Sequence, residues 1–490
     1  MFMEVYRNTR NDAAGIPASR AILEGMADDG GLYVMPSVPR LDMRRVCALP
    51  AREISLETLL ALLPDFTRED MRGVVSRAYD GRFETGDITP LVKVGDRYVL
   101  ELFRGPTSAF KDVALCALPQ LLVEAKRMNA ETGLTMILTA TSGDTGKAAL
   151  AGFRDIPGTK IAVFYPEGGV SAVQRAQMVT QEGENVAVCA VRGNFDDAQT
   201  AVKRAFQRAL EQKGALPEGV KLSSANSINV GRLAPQVMYY IKAYGDLVRR
   251  GDISFGDEVD FAVPTGNFGD ILAGYLAMRM GLPVGRLVCA SNRNDVLTDF
   301  IQTGVYDRRR EFHKTASPSM DILVSSNLER LLYYECGCSP AYVRRLMRRL
   351  AYDGRYEIGT DMLFRIRDTF SACAFDDGAT FSTIRDVFEK HGYVLDTHTA
   401  VAWAASEAKR EGRPMVVLST ASPYKFAGDV LRAITGESVA DGFAAMEKLR
   451  ALSGTPVPKG LGDLRDAKEL HKDVIEADEV FAYVAERARA

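Results

Sequence analysis

Lys111 follows an apolar Phe110 at the end of ELFRGPTSAFKD, residues 101–112, a stretch otherwise rich in Gly, Pro, Thr and Ser. A lysine held away from water has its ammonium form penalised, and the neutral amine that results can form a Schiff base with an aldehyde. Most loop lysines are solvated charges, so this one acquires meaning only through its companions. VPTGNFGDILAGY, residues 263–275, follows an apolar run and opens into an apolar helical pattern. Backbone N–H groups in such a strand-to-helix turn converge, and the helix N-terminus adds partial positive charge, so a phosphate can sit there without any lysine. Gly266 and Gly269 permit close approach; the Lys-Ser or Lys-Thr of a Walker loop and the spacing G-x-G-x-x-G are both missing. TATSGDTG, residues 139–146, lies between the strand-like TMIL at 135–138 and a helix starting near Lys147. Its small hydroxyls and bare amides form a site the size of a carboxylate. Either loop alone is adequately explained as a capped helix start, Asp144 serving the second. Two such loops and a lysine in an apolar loop together point to an aldehyde cofactor that bears a phosphate and to an amino-acid carboxylate.

Strand-like runs alternating with helical patterns from about residue 95 must position these loops, and that alternation predicts βαβ units and mainly parallel sheets. Strands are expected at 160–165, 185–191 and 414–419, the last delivering Thr420 to a turn before a helix that starts near Ala427. Helices are expected at 171–180, at 196–212 with Ala198, Ala201, Val202, Ala205, Phe206 and Leu210 on one side, and as one run over 229–249 that stops at Gly251. Residues 1–95 are helix-rich, with a turn at Asp28-Asp29-Gly30-Gly31, and read as a separate N-terminal unit before a catalytic core over 96–490. Residues 300–385, rich in Arg, Tyr and Leu, read as a helical insertion in that core.

Composition sets bounds. A chain of 490 residues with 47% hydrophobic content can bury a large core, and a net charge of −3 with interspersed signs leaves no footprint for nucleic acid or an anionic membrane. The N-terminus lacks the apolar run of a secretory signal, and no membrane-length apolar stretch occurs, so a cytoplasmic location is expected. Seven scattered cysteines define no disulfide framework, and the four histidines are not spaced with cysteine pairs as a zinc site requires, so no metal is expected. Cys189 and Cys289, in strand-like runs, are expected in the core.

The chain resembles the threonine synthases of the longer microbial and fungal type, fold-type II pyridoxal-phosphate enzymes. The resemblance is carried, in order, by Asn8-Thr9-Arg10, by ADDGGLYV at 27–34, by 101–112, by TSGDTG at 141–146, by Asn226-Ser227-Ile228-Asn229 with Arg232, and by Gly266-Asn267-Phe268-Gly269-Asp270. SSNLER at 325–330, DTHTA at 396–400 and Ser419-Thr420-Ala421 complete a colinear series over nearly the whole chain. It implies two parallel-sheet α/β domains and pyridoxal 5'-phosphate as cofactor. Lys111 would carry the covalent linkage to it and then act as the base, residues 266–270 would hold its phosphate, and Thr420 would face its ring nitrogen. It further implies O-phosphohomoserine as substrate, with Ser142, Gly143, Asp144 and Thr145 receiving the carboxylate and Arg232 the phosphate, in a monomer or a homodimer.

Three positions depart from that family's pattern: Ser422 opens SPYKF where HPAKF is usual, Val230 stands where an aromatic residue is common, and Lys147 where a small one is. If the imidazole missing at 422 is what assists proton transfer or phosphate departure, its loss would turn the same machinery into a phospho-lyase that releases 2-oxobutyrate. Three readings therefore stand, in falling order: threonine synthase, such a lyase, and a catalytically silent binding protein on the same fold.

Overall fold

The computed structural model describes residues 5–212 and 214–489. Two parallel sheets organise them. The larger has six strands in the order Phe370–Ala374, Val284–Ser291, Val259–Pro264, Met415–Ser419, Arg97–Glu101 and Leu91–Val94, parallel throughout except for the last, which pairs antiparallel with its sequence neighbour. The smaller has five, Asp473–Ile475, Val186–Val191, Thr159–Pro166, Thr135–Ala140 and Lys221–Ser224, all parallel. Runs such as VAVCAV and VDFAVP are apolar at successive positions because helices cover both faces of such sheets. Cys189 and Cys289 are buried, and all seven cysteines are free.

The helices Ala18–Glu24, Ala51–Leu62 and Arg68–Tyr79 precede Leu91–Val94, the first strand of the larger sheet, the third helix opened by a reciprocal Thr67 and Asp70 capping box. Their apolar faces, through Ile22, Leu59 and Val74, share one core cluster with Leu118 and Tyr240. Polar ties reinforce that packing: Glu329 accepts two hydrogen bonds from Arg10, at 2.8 and 2.7 Å, and one from the Thr9 hydroxyl at 2.5 Å.

Two segments differ from the sequence expectation. The single helix expected over 229–249 is broken into Val230–Leu233, a 3₁₀ turn Ala234–Gln236 and Val237–Arg250, because Pro235 has no N–H to donate and its ring crowds the preceding turn. Within 300–385, helices Leu328–Glu335, Pro340–Tyr352 and Thr360–Thr369 are joined by a short antiparallel ribbon and by Phe370–Ala374, an edge strand of the larger sheet. Among the described residues no helix is long and apolar enough to cross a membrane.

Candidate active site

Four chain segments meet where the strands of both sheets run out at their C-terminal ends, the usual place for ligands in open α/β sheets. Lys111 belongs to the first. The loop expected to hold it ends at Phe110, and Lys111 is the first residue of helix Lys111–Met128. Its Nζ lies 4.6 Å from the centre of the Phe110 ring, and no acceptor among the described residues takes a hydrogen bond from it. Burial pushes the ammonium down to about 8; Asp144 opposes that shift, Arg232 and Lys425 reinforce it, and Asp270 opposes it. The positive end of the helix acts in the same sense as burial. Phe110 donates its N–H to the Thr420 carbonyl at 2.8 Å, and Ala109 bridges to Ala421, so the lysine is fixed against the end of strand Met415–Ser419. The Thr420 hydroxyl has no protein partner among the described residues.

The second segment, residues 266–270, links strand Val259–Pro264 to helix Gly269–Arg279. Phe268 occupies the cap position in left-handed conformation, φ 61°, and no side chain caps the helix. A bulky residue adopts this backbone only when its surroundings impose it. The loop's carbonyls are tied on the outside: Gly266 accepts from the Ser325 hydroxyl at 2.8 Å, and Asn267 accepts from both the backbone and the side-chain amide of Asn327 at 3.1 Å. Arg330, wholly buried, donates to Asn327 and to the carbonyls of Tyr33 and Ile228. With carbonyls turned outward, the N–H groups of Gly266, Asn267, Phe268, Gly269 and Asp270 have no acceptor among the described residues. Five converging amides at a helix start fit a phosphate dianion, and a Cβ on Gly266 would come within 2.7 Å of the Ser319 carbonyl oxygen.

Residues 141–146 form the third. Thr141 Oγ1 accepts the N–H of Gly143 and of Gly146, both at 2.9 Å, which leaves the amides of Ser142, Asp144 and Thr145 without acceptors among the described residues. Gly143 does not line the cavity; it shapes the turn, with φ 138° and no room for a Cβ against Gln174. The Asp144 carboxylate does not cap the helix as its position in the sequence led us to expect. It pairs with Lys425 Nζ at 2.8 Å and accepts from Gln174 at 2.9 Å, and Lys425 also donates to the Thr107 carbonyl at 3.1 Å. Lys425, together with Lys111, holds the Asp144 carboxyl far below its usual range against the opposing effect of burial. A charged Asp144 thus stands in the site already neutralised by its own cation.

Arg232 supplies the fourth. It is buried, donates one N–H to the Ala225 carbonyl at 2.7 Å, and has no carboxylate partner among the described residues; burial alone pulls it down to about 10. Arg10, which also borders the cavity, is neutralised by Glu329. Asp270 projects differently from its amide: Oδ1 accepts from Tyr239 at 2.6 Å and Tyr240 at 2.9 Å, Oδ2 is buried without a partner among the described residues, and burial raises the acid to about 6. Lys111, Ser142, Asp144, Thr145, Arg232, residues 266–270 and Thr420 all line one cavity of ≈ 1370 Å³.

Sequence reasoning missed Lys425, although its apolar flanks Tyr424 and Phe426 were a signal of burial. It also gave no role to His398, which lines the cavity. Of the three departing positions, none lines it. Ser422 caps the 3₁₀ turn Pro423–Phe426, Val230 is core, and Lys147 Nζ donates to Gln181 at 2.6 Å.

Comparisons with known proteins agree with this architecture. Residues 88–420 match the model of the pyridoxal-phosphate dependent enzyme family, 5–79 that of the threonine synthase N terminus, and 399–484 that of the threonine synthase C-terminal region. The chain is 39% identical to threonine synthase of Pseudomonas aeruginosa over 442 residues, covering 89% of this chain and 91% of that one. It is likewise 39% identical over 433 residues to threonine synthase-like 1 of Homo sapiens, covering 85% of this chain but spanning only 58% of the human protein. The crystal structure of PLP-bound threonine synthase from Brucella melitensis superposes with a TM-score of 0.87 at 39% identity, covering 99% of this chain and 100% of that one.

Proposed function

The chain belongs to the threonine synthase family of pyridoxal-phosphate-dependent enzymes, and on that premise we propose that it converts O-phosphohomoserine and water to L-threonine and inorganic phosphate in the cytoplasm. The observation that carries this reading is that Lys111 shares one cavity with two sets of backbone amides that have no acceptor, and with an arginine, Arg232, that has no carboxylate partner, among the described residues. The five amides of 266–270 suit the cofactor phosphate, the unpaired amine of Lys111 its aldehyde, and the free hydroxyl of Thr420 its ring nitrogen. Bound there, pyridoxal phosphate supplies an aldehyde to capture the substrate amine and an electron sink for the negative charge that develops on carbon. A neutral hydroxyl does not hold a ring nitrogen protonated as a carboxylate would, which places more of the charge stabilisation on the Lys111 ammonium.

In this reading the amides of Ser142, Asp144 and Thr145 bind the substrate carboxylate, with Gly143 shaping their turn, and direct Cα–H at the Lys111 amine. Lys111 takes the Cα proton and, once charged, remains beside the carbon it left. Arg232, which has no carboxylate partner among the described residues, binds the phosphate that departs from Cγ as a proton leaves Cβ. That proton returned to Cγ, the hydroxyl of a water added at Cβ with its remaining proton leaving on the phosphate, and the proton held by Lys111 returned to Cα complete threonine. The absence of Ser422 from the cavity lining favours this product over 2-oxobutyrate.

Incubation of the cofactor-loaded protein with O-phosphohomoserine, with chromatography of amino and keto acids and an assay of released phosphate, tests it. Threonine and phosphate in equal amounts are expected. Stoichiometric 2-oxobutyrate would make the protein a phospho-lyase, and no turnover with cofactor bound through Lys111 would overturn the substrate assignment.

A further inference from the structure

His398 is the second residue of helix Thr397–Ala408 and is buried against the edge of Phe426, ring centres 4.8 Å apart. Both ring nitrogens are occupied. Nδ1 lies 3.0 Å from Asp396 Oδ1, and Nε2 accepts the backbone N–H of Ser319 at 3.2 Å. An Nε2 that accepts must carry no proton, so the proton sits on Nδ1 and is donated to Asp396. That carboxylate is itself fixed: it caps the helix through the amides of His398 and Thr399 and takes the Thr399 hydroxyl. The imidazole is thus held from both sides, Nδ1 against Asp396 and Nε2 against the Ser319 N–H.

The group it grips is a strap, Thr315 to Asp321 in sequence, that crosses the 266–270 loop. The Ser319 carbonyl lies where a Cβ on Gly266 would come within 2.7 Å, and the strap's other end is held by Asp321, whose Oδ1 accepts from Asn292 at 2.7 Å, Asn294 at 2.9 Å and Thr315 at 2.7 Å. Ser325 and Asn327, just beyond the strap, bind the loop carbonyls. We infer that His398 is a positioning residue: through Ser319 it seats the strap on Gly266 and so holds the five loop amides aimed inward for a phosphate. This rests on the reading that residues 266–270 receive the cofactor phosphate.

Two substitutions divide the two ring nitrogens. His398→Gln keeps an acceptor near the Nε2 position and loses the donor to Asp396; His398→Asn keeps a donor near Nδ1 and loses the acceptor for Ser319. Hydrogen exchange of this loop is followed in cofactor-free protein at the Asn327 and Leu272 amides, which donate to the Asn267 and Phe268 carbonyls, and pyridoxal phosphate affinity by fluorescence titration. The expected result is that Asn speeds exchange in this loop and weakens cofactor binding about tenfold or more, while Gln keeps both within about threefold and the two variants melt at similar temperatures. Equal impairment by both, or unchanged loop exchange in Asn, would overturn the role of the Ser319 bond; normal cofactor affinity with lost turnover in both would make the imidazole a participant in the chemistry instead. If wild type takes up no cofactor, the premise about the loop fails, whereas the exchange comparison still judges the hold of His398 on it.

Discussion

Lys425 Nζ and Asp144 Oδ1 are 2.8 Å apart with side chains 0% and 3% exposed, and Lys111 feels both of them. The pair sets a charge beside its own counter-charge at the site, whereas Arg232 in the same cavity has no carboxylate partner among the described residues. Breaking a buried pair by removing one partner leaves an uncompensated charge, which costs about 3–5 kcal/mol. Lys425→Met should therefore destabilise the fold by roughly that amount in urea titrations at neutral pH.

The same substitution should move Lys111. It removes a cation that disfavours the ammonium and frees an anion that favours it, so in cofactor-free protein the amine should titrate above the value of about 8 that it has with the pair intact. The rate of reductive methylation at Lys111, read by mass spectrometry as a function of pH, reports this directly. An unchanged midpoint would mean that burial alone sets the amine. Lys111→Ala should abolish the cofactor's covalent attachment and lower turnover by at least about 10²–10⁴-fold, the usual contribution of a positioned base.

The site loops were legible because their function is written in local sequence: glycines and small hydroxyls between an apolar strand and an apolar helix leave amides unpaired wherever they fold. What holds those loops was not legible. Asp144 read as a cap because Asp commonly caps, and only the return of the chain at Lys425 supplies the cation that claims it. His398 and Ser319 meet across 79 positions in sequence, a separation that no periodicity encodes. The larger elements followed the same rule. Strands buried on both faces, such as TMILTA, announced themselves, whereas FSACA at Phe370–Ala374 is short and only partly buried and joins its sheet through parallel pairing with Val284–Ser291. The break at Pro235 was visible in the sequence, but the long apolar pattern around it outweighed the missing donor.

Arg232 should matter to the substrate and much less to the cofactor. Hydrogen bonds to a charged group contribute about 1.5–3 kcal/mol, so Arg232→Met should lower kcat/KM by about 10- to 150-fold and weaken inhibition by inorganic phosphate in parallel. Arg232→Lys, a point charge without the planar fork, should recover part of both. Phosphate inhibition that survives in the Met variant would remove Arg232 from the substrate's path.

Asp270 gives the fold a pH signature opposite to that of Asp144. Burial raises Asp270 to about 6 from an ordinary carboxyl near 3.8, so between those values the native state binds a proton that the unfolded state does not. Stability carried by this group is therefore present below pH 4 and lost as pH rises through about 6, at up to about 1.4 kcal/mol per pH unit. Asp144 is depressed and acts in reverse, stabilising above the unfolded carboxyl value of 3.8 and failing as pH falls below it. In Asp270→Asn, which keeps an acceptor for Tyr239 and Tyr240, unfolding measured from pH 4 to 6.5 should lose the Asp270 slope. An identical pH profile in the variant would mean that its carboxyl titrates normally.

Product identity is decided by the groups that meet Cβ and Cγ of the substrate, and these must line the cavity. Ser422 does not: its N–H is bound to the Ser108 carbonyl at 3.1 Å, and its hydroxyl, 3.4 Å from the Tyr424 amide, caps the turn that carries Lys425. Ser422→Ala should cost about 0.5–1 kcal/mol as a lost cap and leave threonine the product. Ser422→His puts a larger ring into a filled space, at about 1–3 kcal/mol of overpacking, and should also leave the ratio of threonine to 2-oxobutyrate unchanged. A ratio altered more than about tenfold by the imidazole, with stability no worse than overpacking allows, would mean that position 422 reaches the reacting carbons through Lys425 and Asp144, and the pair would then be part of what selects water addition.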